Sequence, residues 1–348
     1  MRIVVFGAGG FVGGWICEEL ATHGGIEILA CLRKWASAVR LARRGIDIAQ
    51  FDLEGNGELA SLISDADVVV NATMPPPAQE FKLAARLYSA CVDTGVRRFI
   101  QFSSAAVYGD LTGEVSEHMA PKPTSEYGRG KAKMEMHLLA FAAEHRTQLI
   151  ILRPSIVYGP FSDVWTVRYA QRIDQARWRS LGPAGVGICN LVHAQDVVRS
   201  VLAAARSALF EGSHIFNING PELVTWNTYI ERFGDSLGVM NRTTPNYFTF
   251  TARAYAAESV RIGGRIAKTH FTNIISQLSR SKGASRTLMG RAKSLANLYP
   301  TIEEIRLLRR KVRYSCHKAK RQFGLRDSIS LEDGLRQSAE WCKIHGVV

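Results

Sequence analysis

The chain opens on a strand, a glycine turn and a helix within its first 24 residues. Arg2 to Phe6 reads R-I-V-V-F, and the next eight residues are G-A-G-G-F-V-G-G. A short, unbroken apolar run ending at glycine is the pattern of a strand buried on both faces of a parallel sheet. Gly7, Gly10 and Gly13 follow at three-residue spacing. The helix then reads W-I-C-E-E-L-A-T-H-G, with Trp15, Ile16, Leu20 and Ala21 on its inner side. A glycine triplet alone signals only a tight turn. Between a first strand and a helix it is the context of a dinucleotide fingerprint, where the backbone comes close to a pyrophosphate that faces the helix N-terminus. Gly7, Gly10, Phe11, Val12 and Gly13 are therefore the first candidate cofactor contacts.

The rest of the N-terminal half repeats the alternation. A second strand, I-E-I-L-A-C-L, ends at Leu32. An acid that binds the ribose hydroxyls is expected there in an NAD site. The sequence has Arg33 and Lys34 instead, two cations that suit a 2′-phosphate, so NADP is expected, with NAD as the alternative. A third strand ends at Asp52 and Leu53, candidates for the adenine edge. A fourth, A-D-V-V-V-N-A, ends at Ala72, and M-P-P-P then forces an extended loop. A helix over 80–95 and a strand R-R-F-I-Q-F-S-S follow, and a sixth strand, Q-L-I-I-L-R-P, ends at Pro154. Ala72 and Pro154 complete the candidate cofactor contacts. Strands alternating with helices predict an α/β fold, a Rossmann-type doubly wound parallel sheet.

Between the fifth and sixth strands lie Q-F-S-S-A-A-V-Y-G, from Gln101, and P-T-S-E-Y-G-R-G-K, from Pro123. Thr124 or Ser125 caps a helix running from Glu126 to about Glu144. Tyr127 and Lys131 are then one turn apart on one face. An ammonium beside a phenol favours the phenolate, lowering its pKa from about 10 by about 1–3 units. Tyr127 is thus a candidate acid and base near neutral pH. Ser104, at the end of an apolar strand, is a candidate hydrogen-bond partner for a substrate oxygen.

These motifs together resemble the extended short-chain dehydrogenase/reductase family, also called NAD-dependent epimerase/dehydratase. The matching stretches are G-A-G-G-F-V-G, F-S-S-A-A-V-Y-G, Y-G-R-G-K, L-R-P-S-I-V-Y-G-P and N-L-V-H-A-Q-D-V-V, with a terminal helix-loop-helix from Lys318. The resemblance covers about residues 1–238 and 314–343. It implies that Tyr127 is the catalytic acid/base, that Lys131 holds the nicotinamide ribose, and that Ser104 polarises the substrate carbonyl or alcohol. His193 and Asp196 look like the family's structural pair near the domain junction.

By family frequency the small-molecule substrate is a nucleotide sugar or related glycosyl metabolite. Two arginines that the family often aims at the diphosphate are missing: G-I-C-N stands at Cys189 and Asn190, and no R-P-G-D-like stretch is recognisable. Arg168, Arg172, Arg177 and Arg179 are candidate substitutes. The alternative substrate is an apolar alcohol or ketone of sterol, terpenoid or flavonoid type, reduced or oxidised at a membrane. An alternative of another class is a non-catalytic scaffold that senses NADP. Homodimers through a helix pair are common in the family.

Length and charge bound the remainder. The 348 residues suit one Rossmann domain, 1–165 with 188–222 returning to it, and a smaller, mostly helical substrate lobe, 166–187 and 223–348. The net charge of +13 is concentrated: Met240 to Arg321 holds 18 Lys and Arg against three Glu. A basic helical insert over about 240–313 has apolar residues at helical spacing between its cations, as a helix on an anionic membrane surface would. Its aromatics are not interleaved to stack bases, which disfavours nucleic acid. Six scattered cysteines with no C-x-x-C pair predict neither a metal site nor a disulfide framework. With no signal-peptide pattern and no run of about 18 apolar residues, a cytoplasmic protein is expected, with peripheral membrane contact through the insert.

Overall fold

The computed structural model describes residues 1–55, 57–207, 212–270, 296–325 and 328–348, with backbone alone for 264–270. In chain order the first elements are β1 (Arg2–Phe6), α1 (Phe11–Leu20), β2 (Glu27–Leu32), α2 (Val39–Ala42), β3 (Asp47–Gln50), α3 (Ala60–Ile63), β4 (Val68–Asn71) and α4 (Glu80–Asp93). Then come β5 (Arg98–Phe102), β6 (Gly113–Val115), α5 (Glu126–Ala142), β7 (Gln148–Pro154), β8 (Ile156–Tyr158), α6 (Arg168–Ala176), β9 (Ile188–Cys189), β10 (Leu191–His193) and α7 (Ala194–Arg206). The last are β11 (Ser213–Ile218), β12 (Val224–Thr225), α8 (Trp226–Leu237), α9 (Tyr247–His270), α10 (Ile302–Leu308), β13 (Val312–Tyr314), α11 (His317–Phe323) and α12 (Leu331–Ile344).

Seven strands form a parallel sheet in the order β3-β2-β1-β4-β5-β7-β11. The order reverses between β1 and β4, and ligands of such sheets bind beyond the strand ends at that switch point. The register aligns those ends, with Phe6 opposite Cys31 on β2 and Asn71 on β4. Alternate strand residues fill two cores. Ile3, Val5, Val68 and Val70 pack with Ile16 and Leu20 of α1 and with Val197 and Val201 of α7. Val4, Phe6, Val69 and Phe99 pack on the other face with Leu83 and Leu87 of α4 and Met134 and Leu138 of α5. Each such side chain contributes about 1.5–3 kcal/mol on full burial, so the alternation that fixes the register also fixes the end of each strand.

The chain divides into two compact units, the first Met1–Tyr158, Asn190–Glu222 and Val312–Ser330, the second Gly159–Cys189, Leu223–Lys311 and Leu331–Val348. The sequence reading put all of 223–348 in the lobe. Residues 312–330 instead return to the first unit, because β13 pairs in parallel with β6 and Tyr314 stacks on Tyr108 with ring centroids 5.7 Å apart.

The second unit is built on packed aromatics, with Tyr169 of α6 stacked on Trp226 and edge-on to Tyr229 of α8. Its α9 begins the basic insert. Phe250, Ala254 and Ala257 are buried. Arg253 donates to the Tyr299 hydroxyl and Arg261 to the Ala296 carbonyl, so these two cations of the insert are spent inside the unit. Residues 271–295 of the insert lie outside the described residues. Among those described, no helix is long and apolar enough to cross a membrane.

Candidate functional site

The glycine turn after β1 is a cradle that side chains would fill. Gly7 has φ +83°, and a Cβ on it would stand 2.7 Å from the Ala72 carbonyl carbon. A Cβ on Gly13 would stand 2.2 Å from the Gly7 carbonyl oxygen. Both are closer than real Cβ contacts, so only glycine lets β1, α1 and the end of β4 meet. α1 starts at Gly10 with no side-chain cap and no acid in its first turn. The amides of Phe11 and Val12, at its N-terminus, suit an anion. This bare, glycine-walled helix start fits a dinucleotide's pyrophosphate.

The other expected cofactor residues are spread around it. Arg33 and Lys34 are exposed just past β2, and the Arg33 guanidinium is 3.9 Å from the Glu54 carboxylate. Asp52 turns its carboxylate to the Glu54 amide at 3.0 Å, while Leu53 is buried in the core and its carbonyl accepts from Arg86. Only Asp52 of that pair has an exposed side chain. Pro154 is buried at the end of β7, two strands beyond β4, opposite Ile218.

Ser104, Tyr127 and Lys131 converge on the end of β5. Ser104 caps a 3₁₀ turn over Ala105–Tyr108, its Oγ accepting from the Ala106 amide at 3.1 Å. That leaves the hydroxyl hydrogen available to donate. Ser125, not Thr124, caps α5, accepting from the Gly128 amide at 3.0 Å. Gly128 lets the helix close on the 3₁₀ turn, since a Cβ there would stand 2.5 Å from the Ala106 oxygen. Ala106 thus links Ser104 to the first turn of α5, where Tyr127 is 38% exposed. Lys131 is buried. Its Nζ donates to the Phe102 carbonyl at 3.1 Å, two residues before Ser104, and lies 5.9 Å from the centroid of the Tyr127 ring.

A buried network ties α5 to the sheet. Arg153 of β7 holds Glu135 through Nε and a terminal nitrogen, at 2.9 and 2.5 Å, and donates to the Tyr108 hydroxyl at 2.7 Å. Tyr108 donates to Asn217 of β11 at 2.8 Å. Sequence reading missed this network and missed Glu80, which meets Lys131 at 2.5 Å. The signal for Glu80 was an acid on the apolar face of α4.

The family description "NAD dependent epimerase/dehydratase" matches residues 3–219. The chain belongs to this family. Members are enzymes that use a nicotinamide dinucleotide. The chain is 29% identical over 182 residues to an "Uncharacterized UDP-glucose epimerase", YtcB of Bacillus subtilis, covering 46% of this chain and 58% of that protein. It thus spans somewhat over half the length of that relative. It is 24% identical to the "Uncharacterized protein YbjS" of Escherichia coli K12, covering 99% of both. Among solved structures it is similar to the UDP-glucuronic acid 4-epimerase of Bacillus cereus in complex with NAD, with TM-score 0.72, 19% identity and 99% of each chain covered.

Against this epimerase/dehydratase background the arginines and the His193–Asp196 pair can be placed. Arg172, a candidate for a substrate diphosphate, is buried and occupied: it binds Glu304 at 2.8 Å and the carbonyls of Asn297 and Tyr299. Arg177 and Arg179 are exposed and paired with Asp174 and Glu231, and Arg168 is exposed. His193 is packed edge-on between Trp15 and Tyr158, with Nδ1 accepting from the Gln195 amide. Burial, with Arg199 nearby, pushes its pKa down to about 4. Asp196 instead accepts the Ile329 amide and Arg199, and burial pushes its pKa up to about 6 despite both. Among the described residues no group of three or more His, Cys, Asp or Glu could hold a metal.

Proposed function

We propose that the chain transfers hydride at a carbinol or carbonyl carbon, with Tyr127 as acid and base, Ser104 as donor to the substrate oxygen, and Lys131 as the holder of the nicotinamide ribose. One observation carries the reading: the Phe102 carbonyl, on the strand that delivers Ser104, holds Lys131 beside the Tyr127 ring. When bound, the nicotinamide takes up or returns hydride. In oxidation Tyr127, as phenolate, accepts the hydroxyl proton; in reduction the phenol gives it back. Ser104 fixes the oxygen through its remaining hydrogen. Of the three donors of Lys131, two are engaged by Glu80 and Phe102, leaving the third for the ribose hydroxyls. An epimerase would carry out both directions on one bound substrate.

The substrate proposed is a nucleotide sugar or related glycosyl metabolite, supported by the UDP-sugar relatives. The occupied Arg172 leaves Arg168, among the four candidates, as the exposed arginine without an ion-pair partner among the described residues. The apolar alcohol or ketone remains the second substrate class. Among the described residues a lipid contact is supported by the outward Phe248, Tyr255 and Ile262 of α9 and by the exposed Arg306, Arg309, Lys311 and Arg313. NADP is preferred to NAD because Arg33 and Lys34 stand where an NAD site has an acid.

The experiment is a screen of UDP- and dTDP-sugars against sterol and terpenoid ketones, read by reduced-cofactor absorbance and product chromatography. Tyr127→Phe should keep cofactor binding and lose turnover several hundredfold or more, since positioned acid–base catalysis contributes about 10²–10⁴-fold. Near-normal turnover in that variant sinks the mechanism. Titration should show tighter NADP(H) than NAD(H); the reverse order would mean that Arg33 makes no contact with the ribose.

A further inference from the structure

Lys131 has a counter-charge inside the protein. Glu80, in the first turn of α4, puts Oε1 2.5 Å from the Lys131 Nζ. The two residues are 3% and 2% exposed. Burial holds the Glu80 carboxyl above its ordinary value, an effect that the ammonium beside it only partly offsets. Such a carboxylate, on the same face as buried Leu83, Ala84 and Leu87, has no packing reason to be there. A glutamine would fill the same volume.

We propose that Glu80 is a positioning residue that makes the Lys131 site electrically neutral and thereby sets the pH at which Tyr127 ionises. The proposal rests on the functional reading of Tyr127 and Lys131 given above. α4 brings Glu80 and the exposed Lys82. α5 brings Glu126, Tyr127, Arg129, Lys131, Lys133 and His137, with Arg129 donating to the Thr124 carbonyl, Lys133 over the Phe81 ring at 4.5 Å and His137 stacked on that ring. Glu135, also on α5, is bound to Arg153. The end of β5 contributes the uncharged Phe102 carbonyl.

With Glu80 ionised and Lys131 protonated, the site is neutral while Tyr127 is a phenol. Ionising Tyr127 then makes it negative. Replace Glu80 with glutamine and the amide oxygen still accepts from Lys131, so the hydrogen bonds persist. The charge balance does not: the site is positive until Tyr127 ionises, and ionisation now restores neutrality. The phenolate forms at lower pH. Interacting groups titrate as a set, so the change is read on the whole site.

The test compares wild type, Glu80→Gln and Glu80→Asp as full chains, each with and without Tyr127→Phe. The phenolate ultraviolet absorbance that disappears with Tyr127→Phe is followed against pH. In Glu80→Gln it should appear about one unit or more lower than in wild type, within the range that a close charge produces. In Glu80→Asp, which keeps the charge, it should move less. The rising limb of kcat against pH should follow the same order on any substrate found. An unchanged or upward shift in Glu80→Gln overturns the proposal. The absorbance readout needs no turnover, so an enzyme inactive on every substrate but showing the shift would count against the functional reading alone. Glu80→Asp also guards against a folding defect: if both variants keep the wild-type far-ultraviolet spectrum and neither shifts, Glu80 is merely structural.

Discussion

His193 and Asp196 are three positions apart and pull stability in opposite directions with pH. His193 has a folded pKa of about 4 against an ordinary 6.5. Its contribution is fully present above pH 6.5 and is lost as pH falls toward 4. Asp196 has a folded pKa of about 6 against 3.8. Its contribution is present below 3.8 and is lost as pH rises through 6. Between about pH 4 and 6 the two slopes oppose one another. Removing one exposes the other. Between pH 7 and about pH 4.5, His193→Asn should lose less stability than wild type, by about 2–3 kcal/mol at 1.36 kcal/mol per unit. Urea denaturation at both pH values checks this, because any cost of the asparagine itself cancels in the difference. Equal pH dependence in the two proteins would show that His193 titrates alike folded and unfolded. At this scale the sequence was half legible. The resemblance marks His193 and Asp196 as a structural pair; His193 is packed between Trp15 and Tyr158, while Asp196 turns to the Ile329 amide, far along the chain.

Among the elements, α5 depends on how closely it can approach its neighbours. Gly128 abuts the Ala106 carbonyl, and Gly130 abuts Pro77, where a Cβ would stand 2.9 Å from the proline Cβ. Y-G-R-G-K is therefore a lysine and a tyrosine carried on a helix with two shaved positions. Gly128→Ala should cost about 1–3 kcal/mol of overpacking, offset by up to about 1 kcal/mol of helix propensity. The obstacle is backbone, so α5 must shift, and Tyr127 shifts with it. A fall in both melting temperature and kcat is expected; an unchanged pair of values would mean that the turn at Ala106 gives way freely. The strands were legible from their apolar runs and α5 from its cap. Glu80 was legible in principle. It lies at i−3 and i−4 from Leu83 and Ala84, and an acid on that face must meet a cation or pay desolvation. Which cation it meets is a long-range fact that the α4 pattern does not contain.

For the whole molecule, the parallel sheet followed from alternation; its strand order and the return of 312–330 did not. V-R-Y at Val312–Tyr314 is three residues long and falls at the end of the basic insert, too short to read as a strand. Yet Val312 and Tyr314 complete a buried cluster with Ala105, Val107, Tyr108 and Val115. A chain ended at Lys311 should keep the far-ultraviolet signature of the sheet and lose Tyr127-dependent turnover; retained turnover would show that the cluster is dispensable.

That late arrival has a consequence on the ribosome. The last strand of the large sheet ends at Ile218, and β13 begins at Val312. At about 5–20 residues per second, the interval is roughly 5–20 s of translation. Throughout it the nascent protein has every strand of its sheet, while the turn bearing Ser104 still waits for its cover. The corner that carries Ser104 is covered only when that late strand arrives. A slow codon run or a chaperone acting in that interval would govern how much of the product becomes active, with no change to any residue of the site.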